Sequence, residues 1–350
     1  MKRTILSLLI TILIPLQVPA QERFRVMFYN VENLFDTEKD EGKNDEEFLP
    51  TSKRYWNNKK YYLKQNNIAK VISSVGEWNT PALIGICEVE NERVLNVLTR
   101  QTPLKSQQYK FIITDCEDRR GIDVALLYQP DQFKVIGHQA YKIRFKSPQK
   151  ISRDILHVYG LVKSNDTLDV FVCHFPSKSG GEKQTEPDRI RAAEVLRSKI
   201  DSLHHIRKHA NIIIMGDFND NPSMTSMHTA LGAINCKDYK QTGKDTPLLY
   251  NLFYPFEQQE GVGSYKYRGQ WEQIDQIIVS RRMLEKTSGC YVNPNECRIY
   301  NADFLLTEDK SQGGLRPKRT YFGMKYESGF SDHLPIYADF YISIPQHKTY

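Results

Sequence analysis

The chain has 350 residues, 40% of them hydrophobic, with 48 Lys and Arg against 42 Asp and Glu for a net charge of +6. It can bury a substantial core, and length alone permits one large domain or two ordinary ones. The mild positive charge is compatible with a polyanionic substrate without identifying one, and six cysteines at these spacings do not make a disulfide-dense framework.

Lys2 and Arg3, the apolar run 5–16 and Val18-Pro19-Ala20 before Gln21 read as a secretory signal peptide. Cleavage near Ala20 would leave a periplasmic or secreted chain, 21–350, expected to form a single domain. Its loss removes two basic residues and no acidic ones, leaving 46 against 42, or +4. No later stretch reaches the length of a membrane helix, so no stable membrane insertion is expected.

Apolar β-forming runs predict strands over 24–29 and 83–87, separated by a solvated charged loop (38–47) and a helix (57–74). A short helix follows Asn91. Further strands are predicted over 111–114, 124–128, 158–162 and 168–173. The stripe Ile190, Ala193, Leu196, Ile200 and Leu203 predicts a helix over 188–209, with Pro187 in its first turn. Strands at 212–215, 274–279 and 334–341 complete the pattern. Many strands and few long helices indicate two packed sheets with helices outside, the polar residues of interest falling at strand ends on one rim.

Those strand ends carry the chemistry. Asn30, in Tyr29-Asn30-Val31-Glu32-Asn33, either helps hold a hard cation through oxygen or forms a turn. Glu88 follows a buried apolar strand, where an unpaired charge is costly, and is a candidate metal ligand. Glu90 reads as a first-turn acid favouring the next helix's dipole. Arg120 either grips phosphate or pairs locally, and Asp123 either orients a histidine or joins that pair. His174 ends a strand before Lys178, Gly180 and Gly181, which suit phosphate contacts. After the strand 212–215, Asp217 can orient or help deprotonate an attacking water, and Asn219 can donate an amide hydrogen bond to phosphate. Asp275 is embedded in an apolar strand and needs a partner; its expected partner is His333. In Ser331-Asp332-His333 the imidazole can exchange a proton near neutral pH, and Asp332 can ligate metal or steady the site.

Other features point less far. Cys290 and Cys297 bracket a loop and make the favoured bridge, while Cys87 and Cys173 read as small buried hydrophobes facing away from the strand-end polar residues. His205 and His209 lie one turn apart with no third ligand. The mixed run Lys53-Arg54-Tyr55-Trp56 with Lys59, Lys60, Tyr61 and Tyr62 reads either as a strand-binding surface or as a helix partly facing the core. There is no GxSxG elbow or P-loop, which weakens serine-hydrolase and nucleoside-triphosphatase readings.

In order, YNVEN, CEVEN, CHFPSKSGG, GDFND, QIDQIIVS and SDHLP resemble the endonuclease/exonuclease/phosphatase superfamily, the deoxyribonuclease I-like fold, from Asn30 to His333. The resemblance implies a four-layer α/β/β/α sandwich of class α+β and a Mg²⁺- or Mn²⁺-dependent phosphoester hydrolase. By that likeness Glu88, Asn30 and Asp332 would hold the metal, Asp217 would align the water, and Asn219 and His174 would contact the scissile phosphate. His333 would move the proton, steadied by Asp275, and Asp123 would support the first histidine. Arg120 and Lys178 would add substrate contacts. The residues before Gly216 and Asp275 depart from those of the inositol polyphosphate 5-phosphatases. HFPSKSGG is similar to a His-Phe-Lys-Ser-Lys-Gly stretch of large secreted bacterial nucleases, with Pro176 in place of a lysine. The expected activity is an exported endonuclease acting on DNA or RNA as a monomer, with a sphingomyelinase-like or other small-substrate phosphoesterase, or a silent binding module, as alternatives.

Overall fold

The computed structural model describes residues 21–147, 149–207, 209–241 and 249–343. The expected signal peptide lies outside them. The strands run β1 (Gln21–Leu34), β2 (Leu83–Val89), β3 (Lys110–Ile113), β4 (Asp123–Tyr128), β5 (Phe133–Tyr141), β6 (Ile155–Val162), β7 (Thr167–His174), β8 (Asn211–Asp217), β9 (Ala233–Asn235) and β10 (Leu249–Asn251). They continue with the hairpin β11 (Tyr265–Tyr267) and β12 (Gln270–Glu272), then β13 (Asp275–Ser280) and β14 (Cys290–Ile299). Two small hairpins follow, β15 (Leu306–Glu308) with β16 (Leu315–Pro317) and β17 (Tyr321–Phe322) with β18 (Lys325–Tyr326), before β19 (Ile336–Ser343). The main helices are α1 (Asn58–Gly76), α2 (Glu92–Arg100) and α3 (Glu182–Ile206).

Two mixed sheets, ordered β14-β19-β1-β2-β4-β3 and β5-β6-β7-β8-β13-β10-β9, face each other. Alternation along each strand assigns its side chains to layers. On β1, Phe24, Val26 and Phe28 enter the core between the sheets, while Met27 and Tyr29 pack under α1 and α2. On β8, Ile213 and Met215 enter the same inner core, while Ile212 and Ile214 pack against α3. The result is the expected α/β/β/α sandwich. Gly85 lets the sheets close at its position, since a Cβ there would lie 2.5 Å from Met215 Sδ. Among the described residues no helix is long and apolar enough to cross a membrane.

Several local expectations change. The long helix begins at Glu182 rather than 188, which puts Pro187 inside it. Strands β5, β9, β10 and β14 of the two large sheets have no counterpart in the predicted pattern; β9 and β10 are three residues each, β5 is largely exposed along its length, and β14 carries Pro294 and a break in register. Cys290 and Cys297 are not bridged, and all six cysteines are free and buried. The two sit opposite Ile342 and Ala338, four positions apart on β19. Four strand residues span roughly 13 Å, far beyond the roughly 7 Å that a disulfide tolerates between Cα atoms.

Glu90, expected as a first-turn acid, instead lies before Asn91, the N-cap of α2. It is buried, accepts the Asp36 amide at 2.7 Å, and burial pushes its carboxyl up to about 8, with Asp36, Asp40 and Asp45 adding to the shift. The folded state therefore holds that proton more tightly than the unfolded chain. The resulting stabilisation is fully present below the usual glutamate value and lost as pH rises through about 8. Glu90→Gln is accordingly expected to be more stable than the parent by about 1–3 kcal/mol at pH 8, with the advantage shrinking towards pH 5 in a thermal melt. An advantage that does not depend on pH would contradict this.

Candidate active site

Strand register builds the site. His174 on β7 pairs with Asp217 on the parallel β8, and Asp217 pairs with Asp275 on the antiparallel β13. Residues paired across neighbouring strands share a face, so the three form one polar row. On β8 that row continues the alternation Ile213, Met215, Asp217, which makes it the polar end of the inner core. Across the sandwich, Asn30 ends the matching series Phe24, Val26, Phe28 on β1 and pairs with Cys87 on β2.

Hydrogen bonds tie the two sheets together here. Asn30 Nδ2 donates to Asp217 Oδ2 at 3.0 Å and lies 3.4 Å from His333 Nε2. The partnership expected between Asp275 and His333 is present: His333 Nδ1 lies 2.7 Å from Asp275 Oδ2, and its Nε2 lies 3.8 Å from Asp217. Ser331 holds this end by donating to the Asn30 carbonyl and accepting the His333 amide, and the Tyr265 ring lies 4.7 Å from the imidazole. His174 Nε2 is 3.7 Å from Asp217 Oδ2. Asn219 donates its backbone N–H to Asp217 Oδ1 and its side-chain amide to the Phe175 carbonyl.

The two histidines are held in opposite charge states. Burial, Arg153 and Arg120 hold His174 well below the usual range, so it is a neutral imidazole. Burial also opposes charge on His333, but Asp275 and Asp217 outweigh it and push its pKa up to about 10. Burial lifts Asp217 to about 7 against the pull of His333. A buried carboxylate titrating near neutrality beside an imidazolium can take one proton while its neighbour gives another.

Strain collects at the rim. Glu32, Asn33, Glu88 and Asn219 all have positive φ, between 50° and 63°, a region costly for side chains other than glycine. The break in β2 at Glu88 turns its carboxylate out of the strand. Glu88 Oε2 accepts the Asn33 amide at 2.9 Å and lies 3.8 Å from Arg120, while Oε1 has no hydrogen bond among the described residues. Arg120 is half-exposed and donates to Asn33 Oδ1.

Some expected site residues are engaged elsewhere. Asp332 accepts from Arg319 at 2.6 Å; burial opposes its charge, but Arg319 and His333 keep the carboxyl below its usual range. Arg319 also bonds Glu32, whose other oxygen accepts the Thr320 amide and lies 3.7 Å from buried Lys64. Asn30 Oδ1 accepts the Glu32 amide, and Lys178 pairs with Glu272 at 2.9 Å. Asp123 does not support His174: it turns back to accept from Thr114 Oγ1 and the Cys116 amide, because it opens β4 beside the 114–116 loop. His174 Nδ1 has no partner among the described residues. Cys173 faces α3 as expected, but Cys87 faces the site, within 4.8 Å of His174 and Asp217.

A cavity of about 400 Å³ is lined by Glu32, Asn33, Arg54, Arg120, Arg319 and Tyr321 among others, and two of these, Asn33 and Arg120, reach Glu88. Arg54 and Lys60 lie over the Tyr321 ring. Trp56 and Tyr61 are buried, so the aromatic run at 55–62 partly faces the core.

Residues 25–342 match the model of the Endonuclease/Exonuclease/phosphatase family. No curated protein matches the chain. Among solved structures it is similar to an endonuclease/exonuclease/phosphatase family protein from Bacteroides thetaiotaomicron, at 14% identity and a TM-score of 0.56, over 95% of this chain and 100% of that one. A mannosyl-6-phosphatase from the same organism is 15% identical, with a TM-score of 0.52 over 91% of this chain and 99% of that one. A D. rerio TDP2 complexed with single-strand DNA product is 14% identical, with a TM-score of 0.53 over 91% and 98%. At such identities the likeness speaks to fold.

Proposed function

The chain belongs to the endonuclease/exonuclease/phosphatase family, and from that premise we propose that it is an exported, divalent-metal-dependent phosphodiesterase acting as an endonuclease on DNA or RNA, as a monomer. The observation that carries the reading is the row His174, Asp217, Asp275 with His333 held to Asp275 at 2.7 Å. Export rests on the N-terminal sequence pattern.

In this reading Asp217 aligns the attacking water and takes its proton, and the His333 imidazolium gives a proton to the leaving oxygen. Asp275 keeps His333 charged and oriented. Neutral His174 and the second N–H of the Asn219 amide contact the non-bridging oxygens. Glu88 fits a hard cation through its unbonded Oε1, and Asn30 Oδ1 and Asp332 add oxygen donors of the kind Mg²⁺ or Mn²⁺ selects. Such an ion supplies positive charge to the phosphoryl and leaving oxygens. To join Glu88, Asn30 and Asp332 would exchange their present partners, the Glu32 amide and Arg319. Arg120 and Lys178 are proposed to hold substrate phosphates, and the arginine-lined cavity suits the next phosphate of a polymer.

The test is a panel of plasmid DNA, RNA, phospholipid and sugar phosphates with Mg²⁺ or Mn²⁺. Cutting of DNA or RNA within the chain is expected. Intact polymer beside rapid hydrolysis of a small phosphoester would sink the nuclease reading and keep the chemistry.

A further inference from the structure

We infer that Cys87, His174 and Asp217 form a second metal site, one that takes a thiophilic divalent cation such as Zn²⁺. One ligand atom from each residue lies within 4.8 Å of the other two, and all three residues are buried. The sandwich creates this grouping: Cys87 pairs with Asn30 on one sheet, His174 with Asp217 on the other, and the inner faces meet. The nitrogen that faces the group is Nε2: His174 is only 4% exposed, and its Nε2 lies 3.7 Å from Asp217 Oδ2 with no hydrogen bond among the described residues. An imidazole nitrogen set beside a carboxylate without a hydrogen bond is free to take a ligand that completes its bonding.

The donors decide the ion. Sulfur, imidazole nitrogen and carboxylate oxygen suit Zn²⁺, whereas Mg²⁺ takes oxygen and demands octahedral geometry. Tetrahedral zinc places its ligand atoms about 3.3–3.7 Å apart, so from separations within 4.8 Å each pair here closes by about 1.5 Å at most. The other cluster, Asp217, Asp275 and His333, is less available, because His333 Nδ1 is already bonded to Asp275. Burial first, then Asp217 and Glu88, raise the Cys87 thiol well above its usual value, so the free protein carries it as S–H. Binding breaks that S–H bond, forms S–Zn and releases one proton to solvent, with no change in oxidation state. The fourth position is left to water. Occupancy engages Asp217 and His174, so Zn²⁺ would inhibit the hydrolysis proposed above; that clause alone rests on the functional reading.

The full-length protein, freed of metal, is titrated with Co²⁺ and followed by absorption, and Zn²⁺ is then used to displace it. A thiolate-to-cobalt charge-transfer band with tetrahedral visible bands is expected, lost on adding Zn²⁺. Cys87→Ser should abolish the band and weaken Zn²⁺ by at least ~100-fold, while Cys173→Ser, facing α3, should keep both. No band in the parent, or a band that survives in Cys87→Ser, overturns the site. Should Cys87→Ser fail to fold, X-ray absorption of the Zn²⁺-loaded parent decides: one sulfur at about 2.3 Å supports the site, and a shell of only nitrogen and oxygen overturns it. A band without hydrolysis of any substrate would leave this site standing and remove the proposed function.

Discussion

Asp217→Asn is expected to lower kcat by about 10²–10⁴-fold with the fold intact. Asp217 is the junction of the site: Asn30 Nδ2 and the Asn219 amide donate to it, and both histidines approach within 4 Å. Asparagine keeps the size and one acceptor but removes the charge that could take a proton from water. Its new N–H₂ would also face the Asn30 amide, pairing donor against donor. The fold should survive, because Met215 and Ile213 carry the packing of β8 against the other sheet. Steady-state kinetics beside circular dichroism make the check. A variant with parental kcat and native structure would remove Asp217 from the reaction.

His333→Ala should cost a similar factor, about 10²–10⁴-fold on polymer substrates. Here leaving-group chemistry separates a proton donor from a structural role. A p-nitrophenyl phosphodiester leaves as a stable anion and needs little protonation, so it should lose much less than DNA or RNA. Equal losses on both substrates would assign His333 to holding Asp217 and Tyr265 in place rather than to proton transfer.

Much of this site is legible in the sequence because strand alternation is simple. Once β8 is placed by Ile212 to Met215, Asp217 must fall on the inner face, and a buried Asp275 demands a partner that His333 supplies. Two sheets with outer helices likewise follow from the apolar runs. The misreadings share one cause, tertiary pairing without a local signature. Alternation sets Cys87 on the face opposite Glu88, and so away from a site expected at Glu88. In the fold Cys87 keeps the inner face that Leu83 shares, and it is Glu88 that departs, its positive φ and the register break beside it carrying the acid to the rim. Asp123 is adjacent to the right strand, yet its carboxylate caps its own loop. Arg319 lies in a stretch with no strong periodicity, and only folding brings it 2.6 Å from Asp332 and 3.1 Å from Glu32. The Cys290–Cys297 bridge fails because a bulged strand, not a tight turn, separates the two residues.

If the chain hydrolyses phosphate esters with a divalent cation held at Glu88, as proposed above, its metal requirement must depend on that side chain. The most direct measurement is hydrolysis of a phosphodiester by the parent and Glu88→Gln, each first stripped with chelator and then titrated with Mg²⁺ or Mn²⁺. No activity is expected in the stripped parent, with recovery on adding metal and a large rise in the metal concentration required by Glu88→Gln. Full hydrolysis in chelator, or an unchanged metal requirement in the variant, would contradict it.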